Sequence, residues 1–390
     1  MDVYQILLER SLKNIVKAKK LENHTFEITP FSTRGANYSS LLFIGKISAS
    51  NREELKFFAK VATFSNTLRL QLPTRFYYTE QYTYSVLAKV FDKIENKRGI
   101  PIHNRLKIPE LYGYIDTECE EVLVTSDLSA LGFTTYNRFL SINWEYASKA
   151  IEELAKLHAL GFAMQKDFPD DYKKTKESLQ LRDIDGKTAT NILEQMMRKA
   201  VSIIKEEYRD KLINFMAQLI PNAMQLFFGP SLRPTLVHGD FRMSNLMHKI
   251  HMNNQYEIVI IDYQTLHIGS VIKDLMYFIF TGSDSEFRVK YYQQLLAHYY
   301  EHLCLALSRL DLEAEQIFPR KDFDRELEQF VVLGLVFAVI TLPVVTAEEE
   351  NVPDLKDYNV ESMIGIKTSH LCITRLNEVV EDFIKLNILK

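Results

Sequence analysis

Within Leu236-Val237-His238-Gly239-Asp240-Phe241-Arg242-Met243-Ser244-Asn245 an aspartate is followed five residues later by an asparagine. Further on, a hydrophobic run, Ile258-Val259-Ile260-Ile261, ends in Asp262. An Asp–Asn pair alone has a plain explanation as a turn followed by a helix cap. The acidic residue closing the second run points instead to phosphoryl transfer. In that chemistry charge collects on phosphate oxygens, and the protein supplies metal ions, cationic groups and positioning. Asp240 would orient an acceptor hydroxyl and take its proton. Asn245 and Asp262 would offer oxygen ligands to Mg²⁺, a hard cation that favours them. His238 is grouped with Asp240 in the catalytic segment, as a brace for the backbone rather than as the base.

Phosphate-holding parts precede this segment. Lys60 lies in the apolar run Phe57-Phe58-Ala59-Lys60-Val61. A lone lysine there is either a gatekeeper on an edge strand or a cation for ATP phosphates, held by Glu80. Gly35 and Asn37 sit in a turn-like stretch whose backbone N–H groups could cradle phosphate, although an isolated turn explains them equally well.

The elements around these residues follow from pattern. Leu7, Leu8, Leu12, Ile15 and Val16 mark an amphipathic helix over Met1–Lys20. Strands are expected at Glu27–Phe31, Tyr38–Ser48 and Leu55–Thr63, the last two joined by a turn at residues 51–54. A helix is expected over Pro73–Ile94 with Tyr77, Tyr84, Leu87, Val90 and Phe91 inward, followed by strands at Glu110–Ile115 and Glu121–Thr125. Beyond Leu128 the pattern turns helical. Tyr146–Met164 carries Ala147, Ile151, Leu154, Ala155 and His158 on one side, and His158 reads as a hydrogen-bonded core residue. Lys166–Lys187 reads as a polar surface excursion, and helices resume over Asn191–Leu226. A strand–turn–strand stretch at Leu236–Gln264, with Asp240 and Asn245 on its hairpin, precedes helices to the end of the chain.

The 390 residues suffice for two lobes, and 46% hydrophobic with 25% charged residues is ordinary globular composition. A net charge of −4 argues against broad binding to nucleic acid or anionic membrane. Cys119, Cys304 and Cys372 form neither a disulfide framework nor a zinc spacing, so a reducing, cytoplasmic setting is expected. The N-terminus lacks the apolar core of a secretory signal. The uncharged run Phe330–Val345 is shorter than a bilayer span and reads as a buried helix. No membrane association and no protein partner are expected.

Taken together, the motifs resemble the ecdysteroid-kinase-like (CHK-domain) family, a branch of the choline-kinase and aminoglycoside-phosphotransferase group. Gly35-Ala36-Asn37-Tyr38-Ser39-Ser40 is similar to its Gly-x-Asn-Tyr-x-Ser loop. Lys60, then Glu80 with Tyr84, resemble its nucleotide lysine and Glu-x-x-x-Tyr helix, and Leu154-Ala155-Lys156-Leu157-His158-Ala159 its Leu-Ala-x-Leu-His-Ala helix. His238 to Asn245 resembles the catalytic loop, and Asp262-Tyr263-Gln264 the metal segment. Gly269-Ser270, Asp274-Leu275 and Tyr277-Phe278 resemble the stretch that follows. Departures are Thr33 in the loop, Ser126 in place of a hinge glutamate, and Phe241-Arg242 after the catalytic aspartate.

The resemblance implies an α+β, bilobal, protein-kinase-like fold. A β-rich N-lobe over 1–126 would bind nucleotide, and a larger helical C-lobe over 127–390 would carry the catalytic loop and acceptor site. Gly35, Asn37, Ser39, Lys60, Glu80, Ser126 and Leu128 would hold ATP, the last two at the adenine hinge. The acceptor would be a hydroxyl of an ecdysteroid or another small, fairly apolar alcohol, in hormone inactivation or detoxification. The alternative is a catalytically silent protein on the same fold, which predicts loss of Lys60, Asp240, Asn245 or Asp262. All four are present. A protein kinase is disfavoured, since no Ala-Pro-Glu segment follows Asp262.

Overall fold

The first helix, α1 (Val3–Lys19), buries the apolar stripe expected of it: Leu7, Leu8, Leu12, Ile15 and Val16. In this computed structural model, which describes residues 3–32, 39–72, 74–181, 186–252, 254–353 and 359–390, that stripe packs on one face of a five-stranded sheet. The strands are β1 (Thr25–Phe31), β2 (Ser40–Ala49), β3 (Arg52–Ala62), β4 (Leu111–Ile115) and β5 (Val122–Ser126). Their order is β1-β2-β3-β5-β4, every neighbouring pair antiparallel. The turn between β2 and β3 is tighter than residues 51–54, because Arg52 already pairs with Ala49 and Glu53 and Glu54 lie in β3.

Between β3 and β4 the chain forms α2 (Asn66–Gln71), α3 (Phe76–Tyr82) and α4 (Ala88–Lys97). A π-helical turn at Thr83–Leu87 joins the last two. The single helix expected over 73–94 therefore starts later and carries an extra residue in one turn, a feature that periodicity alone does not register. Tyr84, Leu87, Val90 and Phe91 still face inward; Tyr77 is half-buried. The buried face of α4 joins the larger core with α5 (Trp144–Asp167) rather than the core under α1.

The remaining elements are β6 (Thr134–Thr135), α6 (Pro169–Ser178), α7 (Gly186–Ile203), α8 (Glu206–Leu219), α9 (Ala223–Phe228) and β7 (Thr235–Val237). After them come β8 (Leu246–Ile250), β9 (Tyr256–Ile260), β10 (His267–Gly269), α10 (Val271–Gly282), α11 (Ser285–Arg309) and α12 (Ala314–Ile317). The chain finishes with α13 (Arg320–Phe330), α14 (Leu333–Val345), α15 (Val360–Gly365) and α16 (His370–Lys385). Within the stretch 166–187, residues 169–178 thus form a helix: Pro169 starts α6 at a position that needs no N–H, and Thr175 is buried, 3.1 Å from the Tyr82 hydroxyl. Two short pairings were not evident from pattern, β6 with β8 and β10 with β7. Asp240 and Asn245 precede the β8–β9 hairpin instead of riding on it.

The apolar run at 330–345 is core. Leu333, Leu335, Val336, Val339 and Leu342 of α14 are fully or almost fully buried. No single helix among the described residues is long and apolar enough to cross a membrane. The whole is an α+β, bilobal, kinase-like fold: an antiparallel sheet with its own small core beside a larger helical body.

Candidate active site

Lys60 is not an edge residue. It lies on β3, paired to Leu42 of β2 and Leu123 of β5, so its strand is flanked on both sides. The gatekeeper explanation therefore falls. Its ammonium group donates to Glu80 Oε1 and to Asp262 Oδ1, each at 2.7 Å. The Lys60 and Glu80 side chains are 11% and 3% exposed. Burial works against the charge on Lys60, but Asp262 and Glu80 outweigh it and hold the amine well above its ordinary pKa. Burial raises the Glu80 carboxyl, even with Lys60 beside it. Burial also works against Asp262, yet Lys60, Arg242 and His238 keep it below the usual aspartate range.

Gln264 extends this network. Its amide donates to Glu80 Oε2 at 3.2 Å and its oxygen accepts from Ser39 Oγ at 3.0 Å. Ser39 thus reaches the site through Gln264, while the Tyr77 hydroxyl donates to the Ser39 carbonyl. Gly35 and Asn37 lie outside the described residues.

The segment 238–245 is shaped by β7, β8 and α10. Gly161 of α5 lets β7 pass close: a Cβ there would lie 2.3 Å from Thr235 Oγ1 and 2.7 Å from the Leu236 nitrogen. After β7, Gly239 turns the chain at φ +82°, a conformation that costs glycine little. Asp274 of α10 then accepts from the backbone N–H of His238 (2.7 Å) and of Gly239 (2.8 Å). The same carboxylate meets His158 Nε2 at 3.1 Å, and His158 Nδ1 meets the Tyr299 hydroxyl at 2.6 Å. Burial would raise Asp274, but His158, His238 and the Gly239 N–H more than offset that and hold it low. His158 is a fully buried structural residue, as its helix position predicts. His238 is also buried, its Nε2 3.0 Å from the Ile261 carbonyl and its Nδ1 accepting from Asp240 N at 3.3 Å.

The β8–β9 register brings Asn245 and Asp262 together. Leu246 pairs with Ile260, and the Ile261 N–H donates to the Asn245 carbonyl at 2.9 Å, so Asp262 follows directly. Asp262 itself has φ +65°, a left-handed backbone costly for a non-glycine residue and typical of positions held for function. The Asn245 amide donates to Asp240 Oδ2 at 2.8 Å and to the Asp240 carbonyl at 2.9 Å. That leaves the Asn245 amide oxygen and the second Asp262 oxygen as donors of the hard type that Mg²⁺ takes. The residues present fit the ion.

In the sequence, Arg242 stands out only as a departure from the family's pattern. Its Nε donates to both Asp240 oxygens, at 3.0 and 3.1 Å. Tyr277, whose hydroxyl is pushed up by burial and by Asp240, stands next to the same carboxylate. It packs on Phe337 (ring centroids 4.7 Å apart), which in turn meets Phe227. Asp274 and Gln264 carried no assigned role either, although both fall within the segments that suggested the resemblance.

A cavity of about 430 Å³ opens between sheet and body. Leu42, Ile44, Phe58, Leu123, Leu128, Phe133, Met247 and Ile261 give it apolar walls. Lys60, Glu80, Asn245 and Asp262 line it too, as do Ser126 and Asp127 at the end of β5. Asp240 lies outside this lining, one hydrogen bond beyond Asn245.

A model of the ecdysteroid kinase-like family matches residues 34–312, from the segment before β2 through α11. The chain belongs to the ecdysteroid kinase-like family. That bears out the resemblance drawn from its motifs, and the matched span of this family member contains every site residue named above except the Phe337 contact. No curated protein sequence matches the chain. Among solved structures, the family member is similar to a GDP complex of an aminoglycoside 2′-phosphotransferase-IIIa variant. The identity is 9% over 96% of this chain and 97% of that one, with a TM-score of 0.46. It is similar also to glucosamine kinase, at 12% identity over 96% and 84% of the two chains, with a TM-score of 0.39. A complex of glucosamine kinase with glucosamine, ADP and inorganic phosphate shows 12% identity over 90% and 81%, with a TM-score of 0.37. These values mark distant resemblance.

Proposed function

We propose that this protein is an ATP-dependent small-molecule kinase that transfers the γ-phosphoryl group to an alcohol. Residues 1–126 serve as the nucleotide-side lobe and 127–390 as the lobe carrying the catalytic loop. The observation that carries the reading is the convergence of Lys60, Glu80, Asn245 and Asp262 on one apolar-walled cavity, with Asp240 hydrogen-bonded just beyond it.

In this reading the purine lies between the apolar walls near Ser126 and Leu128. Lys60, held by Glu80, meets the phosphates, a role that the family resemblance extends to Gly35, Asn37 and Ser39. Asn245 and Asp262 would hold Mg²⁺, which would neutralise charge on the phosphate oxygens. Asp240 accepts the hydroxyl proton as the acceptor oxygen bonds to phosphorus and the bond to the ADP oxygen breaks. His238 keeps Asp240 in place through its own buried contacts.

The acceptor we favour is an ecdysteroid or another fairly apolar alcohol, in hormone inactivation or detoxification. The family name supports it, as does the aromatic row that runs from Tyr277, next to Asp240, through Phe337 to Phe227. One observation favours a second reading, a nucleotide-binding protein without turnover: both Asp240 oxygens accept from Arg242.

ADP release with ATP and Mg²⁺, across ecdysone, choline and plant phenolics, separates the two. Acceptor-dependent release that disappears in Asp240→Asn is the expected result. Nucleotide binding without release for any acceptor favours the second reading, and no nucleotide binding would remove both.

A further inference from the structure

On the far side of α5 from the catalytic loop, two histidines and a glutamate meet. His298 and His302 are four residues apart on α11, hence on one helix face. Glu152 projects from α5 against them. Glu152 Oε1 lies 3.1 Å from His298 Nε2 and 3.9 Å from His302 Nε2. The imidazole centroids are 4.2 Å apart, and one ligand atom from each residue fits within a 4.8 Å span. Among the described residues no other His, Cys, Asp or Glu side chains gather three together in this way.

We propose that Glu152, His298 and His302 bind a borderline transition-metal ion, Zn²⁺ foremost, with the fourth coordination position open to water. Metal–ligand distances of about 2.0–2.1 Å in a tetrahedral shell put neighbouring ligand atoms about 3.3 Å apart. The separations found here need only small side-chain rotations to reach that. Two imidazoles and one carboxylate suit Zn²⁺, Co²⁺, Ni²⁺ or Cu²⁺ and are a poor match for Mg²⁺.

The surroundings fit the same assignment. Lys149 donates to Glu152 Oε2 at 2.7 Å, which orients the carboxylate and leaves Oε1 toward the imidazoles. Trp144 packs edge-on against His298, with ring centroids 5.6 Å apart, and walls one side. The three ligand side chains are only 17–24% exposed, open enough for an ion to enter. None of them lines the nucleotide cavity, so the ion would tie α5 to α11 rather than join phosphoryl transfer. Since α5 also carries His158, the tie would stiffen the helix that braces Asp274 and the catalytic loop.

The test uses the full chain, stripped with a chelator and titrated with Zn²⁺ in the presence of excess Mg²⁺. The expected result is one Zn²⁺ bound per chain and a raised thermal midpoint. His302→Ala and Glu152→Gln should each weaken binding by about 10-fold or more, and His298→Ala/His302→Ala should abolish the thermal shift. Co²⁺ in place of Zn²⁺ should give visible d–d absorption without the thiolate charge-transfer band of a cysteine ligand. Equal Zn²⁺ affinity in the wild type and in Glu152→Gln and His302→Ala, a thiolate band, or no binding below millimolar Zn²⁺ would each overturn the proposal. The last outcome would leave an ordinary His–Glu hydrogen bond.

Discussion

Asp240 is held from two sides, by the Asn245 amide and by the Arg242 guanidinium. The Asn245 contact fixes the carboxylate, whereas an acceptor hydroxyl must share or displace the Arg242 contact before Asp240 can take its proton. Asp240→Asn should therefore lower kcat by about 10²–10⁴-fold while nucleotide affinity stays near wild type, checked by turnover and by ATP titration. Retained turnover would take Asp240 out of the base role. Lys60 carries a different burden. Replacing it in Lys60→Met leaves the buried Glu80 and Asp262 carboxylates without their cation, so both nucleotide use and stability should fall. The stability loss should be about 3 kcal/mol by denaturant unfolding, the scale of a broken buried ion pair. Unchanged nucleotide kinetics in that variant would reduce Lys60 to a structural ion pair.

Helices and strands set where these residues meet. The approach of β7 to α5 depends on Gly161, where any side chain would strike Thr235 and the Leu236 backbone. Gly161→Ala should destabilise the protein by about 1–3 kcal/mol, and thermal unfolding that matches wild type would contradict the close contact. The end of α4 offers a pH test. Glu95, buried there, accepts from the Leu106 N–H at 3.0 Å, and burial pushes its carboxyl up to about 7. An acid whose folded pKa lies above its ordinary value of 4.5 adds stability below that value and loses it as pH rises through about 7. In Glu95→Gln that loss should vanish. Relative to wild type, the variant should gain about 2 kcal/mol between pH 5 and pH 8 in urea unfolding. A constant difference across that range would mean Glu95 is ionised throughout.

Across the whole molecule, Lys60 of the sheet reaches Asp262 of the helical body, and Ser39 reaches Gln264. These contacts cross the cavity walls, so a ligand that bridges the same groups should stabilise the molecule as a unit. ATP with Mg²⁺ at about 100 times its dissociation constant should add about 2.7 kcal/mol. That corresponds to a rise in thermal midpoint of about 2–4 °C. Asp262→Ala should abolish the Mg²⁺-dependent part of that rise together with turnover. An Mg²⁺ response equal to wild type in that variant would contradict the metal assignment.

Local signals in the chain were enough for α1, the five strands of the sheet and the buried run of α14, because each rests on alternation or helical spacing within one segment. They also singled out Lys60 within an apolar run and Asp262 at the end of another, and through these Glu80, Asp240 and Asn245. The π turn inside the α3–α4 segment escaped, because one extra residue leaves the apolar pattern nearly intact. The β10 pairing with β7 escaped because three-residue strands carry too few positions to show a period. Contacts between distant residues were a matter for tertiary structure. Lys60 and Asp262 are 202 positions apart and Glu152 and His298 are 146 apart, and no spacing rule spans such distances. Residue types thus settled which chemistry was possible. Packing decided that Lys60 sits on a flanked strand, that Arg242 occupies Asp240, and that His298 and His302 face Glu152, because burial and long-range contact arise only when the segments close on one another.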